Sequence, residues 1–185
     1  MLAPHLLWHS IMQRSTRSFY DEKLFDASDL RRSLERLFII NLQVTGFRSS
    51  LGLRKREVIC IDREDKIVTF VPNQLVEKYL ALTLKNWNQD FDKAATLEEV
   101  AFTLTQLWMS FITVHPFEDG NGRTIKEFMR QELQKKGLSI KSFDFIDRIL
   151  MKGNVAEEVP LLEAAFLASI KPSNTMKSVR SLKGV

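Results

Sequence analysis

Two long stretches of the chain carry apolar side chains at helical spacing, and only the six residues 115–120 separate them. In 97–114 the apolar positions are Ala101, Leu104, Leu107, Trp108, Phe111 and Ile112; in 121–136 they are Ile125, Phe128, Met129 and Leu133. A 3.6-residue period sustained this long predicts two amphipathic helices sharing one core. Thr96 followed by Glu99 supplies a capping box for the first, and Gly137 a C-cap for the second. Helical spacing recurs at Leu30, Leu34, Leu37, Phe38 and Asn41, in a helix ending before Thr45-Gly46. Leu75, Tyr79, Leu82 and Leu84 predict another helix, and 143–150 and 159–170 two more. The β-rich runs 58–61 and 67–71, joined by the charged stretch 62–66, read as one hairpin. A lone hairpin is not stable in water, so it must lean on the helices. The expected fold is mainly α: a helical domain over 29–170 with one small β-hairpin. It is preceded by an extension at 1–28 and followed by a basic flexible tail at 171–185.

Composition narrows the function classes. A chain of 185 residues fits one domain, given the usual ~100–200 residues per domain. With 44% apolar residues it can bury a core without a disulfide. Its single cysteine, Cys60, excludes an intramolecular disulfide and a cysteine-rich zinc site, and within a strand it reads as packing. No apolar run approaches the ~18 residues of a membrane span. The start, MLAPHLLWHSIMQR, lacks the basic region of a signal peptide. The expectation is a cytoplasmic protein with no membrane partner, used in its own cell or delivered into another. Net charge is +4, and Lys171, Lys177, Arg180 and Lys183 in the acid-free tail equal that whole surplus. Nucleic acid is therefore not an expected partner. His5 and His9 have the spacing of a zinc pair, but Leu6 replaces the glutamate that a metalloprotease helix needs.

The chemistry concentrates between the two best helices, in His115-Pro116-Phe117-Glu118-Asp119-Gly120-Asn121-Gly122-Arg123-Thr124-Ile125-Lys126. Pro116 ends the first helix and fixes His115 at its terminus. Asp119-Gly120 and Asn121-Gly122 are turn dipeptides that open the second helix, where backbone N–H groups and the helix dipole favour an anion. Arg123 and Lys126, three residues apart, add positive charge one turn further in. A carboxylate beside such an anion site is tolerated when a divalent cation bridges it to phosphate, which makes Asp119 a Mg²⁺ candidate. An imidazole near neutrality can take a proton from an attacking hydroxyl, which makes His115 the candidate general base. Residue types alone thus give a base, a metal carboxylate and an anion cradle, the parts of a phosphoryl-type transfer.

The same residues resemble a known family. HPFEDGNGR is similar to the signature H-x-F-x-[D/E]-G-N-G-R-x-x-R of the Fic (filamentation induced by cAMP) family over nine contiguous positions. The hairpin resembles the family's flap, and Thr45-Gly46-Phe47-Arg48 its short Gly-x-Arg segment. The resemblance implies a Fic-type helical domain that transfers AMP from ATP to a Ser, Thr or Tyr hydroxyl of a target protein. It gives His115 the role of base, Asp119 that of Mg²⁺ ligand, and Phe117 that of a core anchor. Gly120, Asn121 and Gly122 would line the anion hole, with Arg123 and Lys126 on the distal phosphates. The target would dock along the 58–71 hairpin by strand addition. Lys126 departs from the family's arginine and trades a planar fork for a point charge, which implies weakened transfer. The inhibitory pattern [S/T]-x-x-x-E-[G/N] is not found after the signature; Ser18 and Glu22 have its spacing, but Lys23 follows them. Restraint is therefore expected from a small antitoxin-like inhibitor protein. Alternatives are transfer of another group from a nucleotide, and a module that binds nucleotide or antitoxin without turnover.

Overall fold

The structure, a computed structural model, describes residues 28–46, 52–61, 67–149 and 155–173. His5, His9, Ser18, Glu22, Phe47, Arg48, the 62–66 connection and the chain after Ser173 lie outside the described residues.

Helix α1 (Ser28–Val44) buries the stripe read from the sequence: Leu30, Leu34, Leu37, Phe38 and the polar Asn41. It closes with the Thr45 N–H donating to the Asn41 carbonyl at 3.0 Å, and Gly46 follows at φ 62°. Strands β1 (Ile59–Ile61) and β2 (Ile67–Thr69) form the expected antiparallel hairpin, with Ile59 opposite Thr69 and Ile61 opposite Ile67. A 3-10 turn (Asn73–Leu75) leads into α2 (Val76–Lys93).

In α2 the predicted apolar face needs correction. Leu75, Tyr79 and Leu82 are exposed, and the buried face is Val76, Leu80, Leu84, Trp87 and Phe91. The aromatic pair decides the phase: Trp87 stacks on Phe91 at 4.1 Å and meets Phe128 edge-on at 6.1 Å. Anchoring two rings in the core turns Tyr79 and Leu82 outward.

Helix α3 (Leu97–Val114) starts on the predicted capping box. The Thr96 hydroxyl accepts from the Glu99 N–H at 3.2 Å, and the Glu99 carboxylate accepts from Thr96 N at 3.1 Å and Ala95 N at 2.7 Å. Helix α4 (Asn121–Lys135) ends one residue before Lys136, and Gly137 takes the positive φ of 70°. Strand β3 (Leu138–Ile140), α5 (Asp144–Ile149), α6 (Val155–Ser169) and β4 (Ile170–Pro172) complete the described chain.

The β3–β4 ribbon is a second strand pair that the sequence reading did not contain. Leu138 lies opposite Pro172, Ile140 opposite Ile170, and the Ser173 N–H donates to the Gly137 carbonyl at 2.7 Å. Lys171 and Pro172, read from the sequence as the start of a tail, belong to this ribbon, and Ile170 leaves the helix to enter it.

Helix α1 packs on α2 and α4, and α3 packs on α2, α4 and α6. Phe111, Phe117, Phe128 and Phe166 are fully buried where these helices meet, each contributing roughly 1.5–3 kcal/mol of transfer free energy. The mainly helical expectation holds, and the core fixes the relation of the α3 terminus to the α4 start. No helix of the described residues is long and apolar enough to cross a membrane.

Candidate active site

The site lies where α3 stops and α4 begins. His115 is the C-cap of α3, its N–H donating to the Phe111 carbonyl at 2.9 Å and its backbone in the left-handed region at φ 49°, ψ 60°. The following proline removes the option of continuing the helix. The imidazole is half-buried and stacks on Phe70, just past β2, with ring centroids 4.0 Å apart. Burial pushes the His115 ring below its ordinary value of 6.5, the nearby Arg54 charge pushes the same way, and the Ile112 backbone opposes both. Nδ1 is buried without a well-formed hydrogen bond. An imidazole kept neutral in this way is a base near neutral pH.

The loop from 116 to 120 is held from three sides. Phe117 is fully buried, edge-on to Phe38 at 5.9 Å and tilted against Phe111 at 6.2 Å, as the sequence resemblance implied for an anchor. The Asn121 amide closes the turn by accepting from Phe117 N at 2.9 Å and donating to the Phe117 carbonyl at 2.8 Å. From α1, the Asn41 amide donates to the Asp119 carbonyl at 2.8 Å and to the Thr124 hydroxyl at 3.0 Å. Asn121 can therefore offer an anion its backbone N–H, since its side chain is committed to the loop.

The two glycines answer to different constraints. Gly120 has φ 76°, and a methyl group there would lie 2.6 Å from Thr45 Cγ2, so the fold itself demands glycine. At Gly122 a methyl would meet only Trp108, at an ordinary 3.9 Å. No packing contact requires glycine at 122, although glycine within a helix costs about 0.5–1 kcal/mol. Its bare backbone leaves the first turn of α4 open to something from outside. The first N–H groups of a helix have no intrahelical acceptor. Here Thr124 is the first to bond back, to the Gly120 carbonyl at 2.8 Å. Dipole and free donors suit this turn to an anion.

Asp119, on the rim, has a side chain 66% exposed. Its Oδ1 accepts from Gly120 N at 2.6 Å and its Oδ2 from Arg123 at 3.2 Å. Arg123 also donates to the Val44 carbonyl at the end of α1, at 2.7 Å. Lys126 leans the other way, its Nζ 5.6 Å above the Trp108 ring of α3. The structure thus brings His115, Asp119, Gly120, Asn121, Gly122 and Arg123 together around one helix start and turns Lys126 toward α3.

No group of three or more metal-ligating side chains occurs among the described residues. At the rim, Asp119 offers an exposed carboxylate. That suits Mg²⁺, which takes one or two carboxylates and completes its shell with phosphate oxygens and water.

Three contributors escaped the sequence reading. Phe70 packs on the base, Asn41 pins the loop, and Arg54 reaches the His115 carbonyl at 2.7 Å. Asn41 had left a signal as a polar residue within an apolar helical stripe. Arg54 had one too, in the second Gly-x-Arg, Gly52-Leu53-Arg54.

Comparison with known proteins adds independent findings. A model of the Fic/DOC family matches residues 31–133. No curated protein sequence matches the chain. Among solved structures, the fold is similar to the N-terminal Fic domain of a VirB-translocated Bep effector protein from Bartonella quintana. That match has TM-score 0.61 at 14% identity and covers 87% of this chain and 88% of that one. It is also similar to BepC of Bartonella tribocorum with bound AMPPNP, with TM-score 0.59 at 16% identity over 83% of this chain and 89% of that one. An ADP-bound Fic domain of a Bep effector from Bartonella quintana has TM-score 0.55 at 14% identity, covering 83% and 87% of the two chains.

Proposed function

The chain belongs to the Fic/DOC family, and from that premise we propose that it is a protein adenylyltransferase, moving AMP from ATP to a hydroxyl of a target protein. The observation that carries this reading is the pairing of His115, buried enough to stay neutral, with an open helix start at Gly122. The first offers a base and the second a place for phosphate. BepC of similar fold holds AMPPNP, and a Fic domain of similar fold holds ADP, which supports ATP as the nucleotide.

In this reading the α-phosphate rests on the backbone N–H groups of Asn121 and Gly122. Arg123, tethered at the mouth of the site, faces the remaining phosphates. Asp119 would hold Mg²⁺ jointly with phosphate oxygens, and the ion when bound supplies neutralisation of phosphate charge. The target hydroxyl gives its proton to His115 Nε2 as its oxygen bonds to the α-phosphorus. The bond from that phosphorus to pyrophosphate breaks, and pyrophosphate leaves with the electron pair. The target presents its hydroxyl by lying along the exposed edge of the β1–β2 hairpin, where backbone hydrogen bonds suffice. A small inhibitor protein that blocks the nucleotide site belongs to the same reading.

The test supplies purified protein with Mg²⁺, a cell lysate and ATP labelled on the α- or the γ-phosphate, with His115→Ala as control. Protein-bound α label that disappears in the control is the expected result. Bound γ label would instead make the protein a kinase. One observation favours a second reading, a binding module with little turnover: Lys126 lies against Trp108 where the family's signature has a forked arginine. Raising transfer by Lys126→Arg would show a slowed enzyme, and ATP binding with no transfer in either form would show a module.

A further inference from the structure

Arg54 follows Gly52, which has φ 115°, and its side chain is fully buried. A buried guanidinium is costly unless its donors are met. Its acidic neighbour among the described residues, Glu57, is 3.8 Å away. The donors go instead to backbone carbonyls of three segments. Nε donates to His115 at 2.7 Å, and Nη2 to Val114 at 3.3 Å and to Val71. Nη1 donates to Arg56 at 2.9 Å. The Arg54 backbone N–H adds a bond to the Pro116 carbonyl at 2.8 Å.

These acceptors have different functional meanings. Val114 and His115 end α3, where carbonyls lack helical partners and a cation is welcome. Val71 is where the hairpin returns to the helical body, and its own N–H donates to Thr113 at 3.1 Å. Phe70, beside it, is the ring stacked on His115. Two further bonds brace the same stem: Asn73 N donates to Glu57 at 3.0 Å, and the Asn73 amide to the Lys55 carbonyl at 2.7 Å. Beyond this stem, Ile59 and Ile67 lie in solvent.

We infer that Arg54 is a positioning residue that locks the hairpin stem to the carbonyl of the catalytic histidine, so that the target strand and the base keep one fixed separation. The inference rests on the proposed function for its meaning, since it assumes that the target lies on the hairpin and that His115 is the base. A lysine keeps the charge but cannot spread donors over four carbonyls as the planar fork does.

The experiment compares wild type, Arg54→Lys and Arg54→Gln by amide exchange and by transfer kinetics. In Arg54→Lys the Val71 amide should exchange at least about tenfold faster, while the Leu37 and Leu104 amides keep their rates within about twofold. The transfer kcat should fall at least about tenfold and the target KM rise, with the KM for ATP within about twofold of wild type. Arg54→Gln should show the same pattern more strongly. Acceleration of all amides together, an unchanged Val71 amide, or an ATP KM that shifts along with kcat would each overturn the inference. Should neither variant fold, the wild-type Nε–H of Arg54 decides: matched protection with the Val71 amide supports one locked unit, and rapid exchange refutes it. Should wild type transfer nothing, the proposed function fails while the exchange arm still judges the lock.

Discussion

The loop backbone is gripped at Phe117 by the Asn121 side chain and at Asp119 by that of Asn41, and a methyl at Gly120 would collide with Thr45. In the hairpin, by contrast, Ile59 and Ile67 are 64% and 69% exposed, and the strands reach the body through a stem. The difference matches the roles proposed for the two regions. A base and an anion cradle, the roles proposed for this loop, would lose rate when displaced by an ångström, which suits a loop fixed from several sides. A strand that adds to an edge is recognised by its backbone, so the edge needs exposure more than rigidity. In the proposed reading, tight packing serves chemistry and loose apolar exposure serves recognition.

The sharpest way to break that contrast is His115→Ala. Transfer should fall by about 10²–10⁴, with ATP affinity retained, as read by α-label incorporation and calorimetry. Retained transfer would move the chemistry elsewhere. A pair of glycine variants sharpens the contrast within the loop itself. Gly122→Ala should weaken ATP binding by at least about tenfold, while thermal stability holds or rises, because alanine favours a helix by about 1 kcal/mol. Gly120→Ala should lower stability by at least about 1–2 kcal/mol from the left-handed backbone alone, before the clash with Thr45. Parallel behaviour in melting and binding assays would show that one constraint governs both positions.

On the hairpin, Ile67→Ser should change stability by less than ~0.5 kcal/mol and raise the KM for the target alone. A loss of ATP affinity would contradict the division of labour. The smallest effect concerns pH. The folded His115 ring titrates below 6.5, chiefly through burial, so the acid limb of kcat/KM should lie below that value. The unfolded chain takes up this proton first as pH falls. Stability is therefore full above 6.5, declines through the window down to the folded value, and then levels off. An acid limb above 6.5, or stability rising as pH drops through that window, would disprove the assignment.

Much of this was legible in the sequence. The α1, α3 and α4 stripes were readable because each has one apolar face at one period, and the signature lay between two of them. The α2 face was misread because Leu75, Tyr79 and Leu82 also keep helical spacing. Only the packing of Trp87 on Phe91 and Phe128 selects between the faces. The β3–β4 ribbon escaped because its strands are three residues each and depend on a partner 32 residues away, as in Ser139 with Lys171. Arg54 escaped for a related reason. A sequence shows that an arginine is present, but its acceptors are backbone carbonyls, which every residue has. The sequence puts Asp119 and Arg123 at the start of α4, but their pairing and the tether to Val44 depend on where α1 ends.

His115 is the one non-glycine residue with positive φ among the described residues, in a position where glycine is the usual helix terminator. If His115 is the base proposed above, folding and chemistry ask for different amino acids at this position. A library randomised at 115 and sorted for heat resistance would enrich glycine, and the winners would be more robust and inert. Sorted for turnover, the same library would return histidine and accept the strained backbone as the condition of activity.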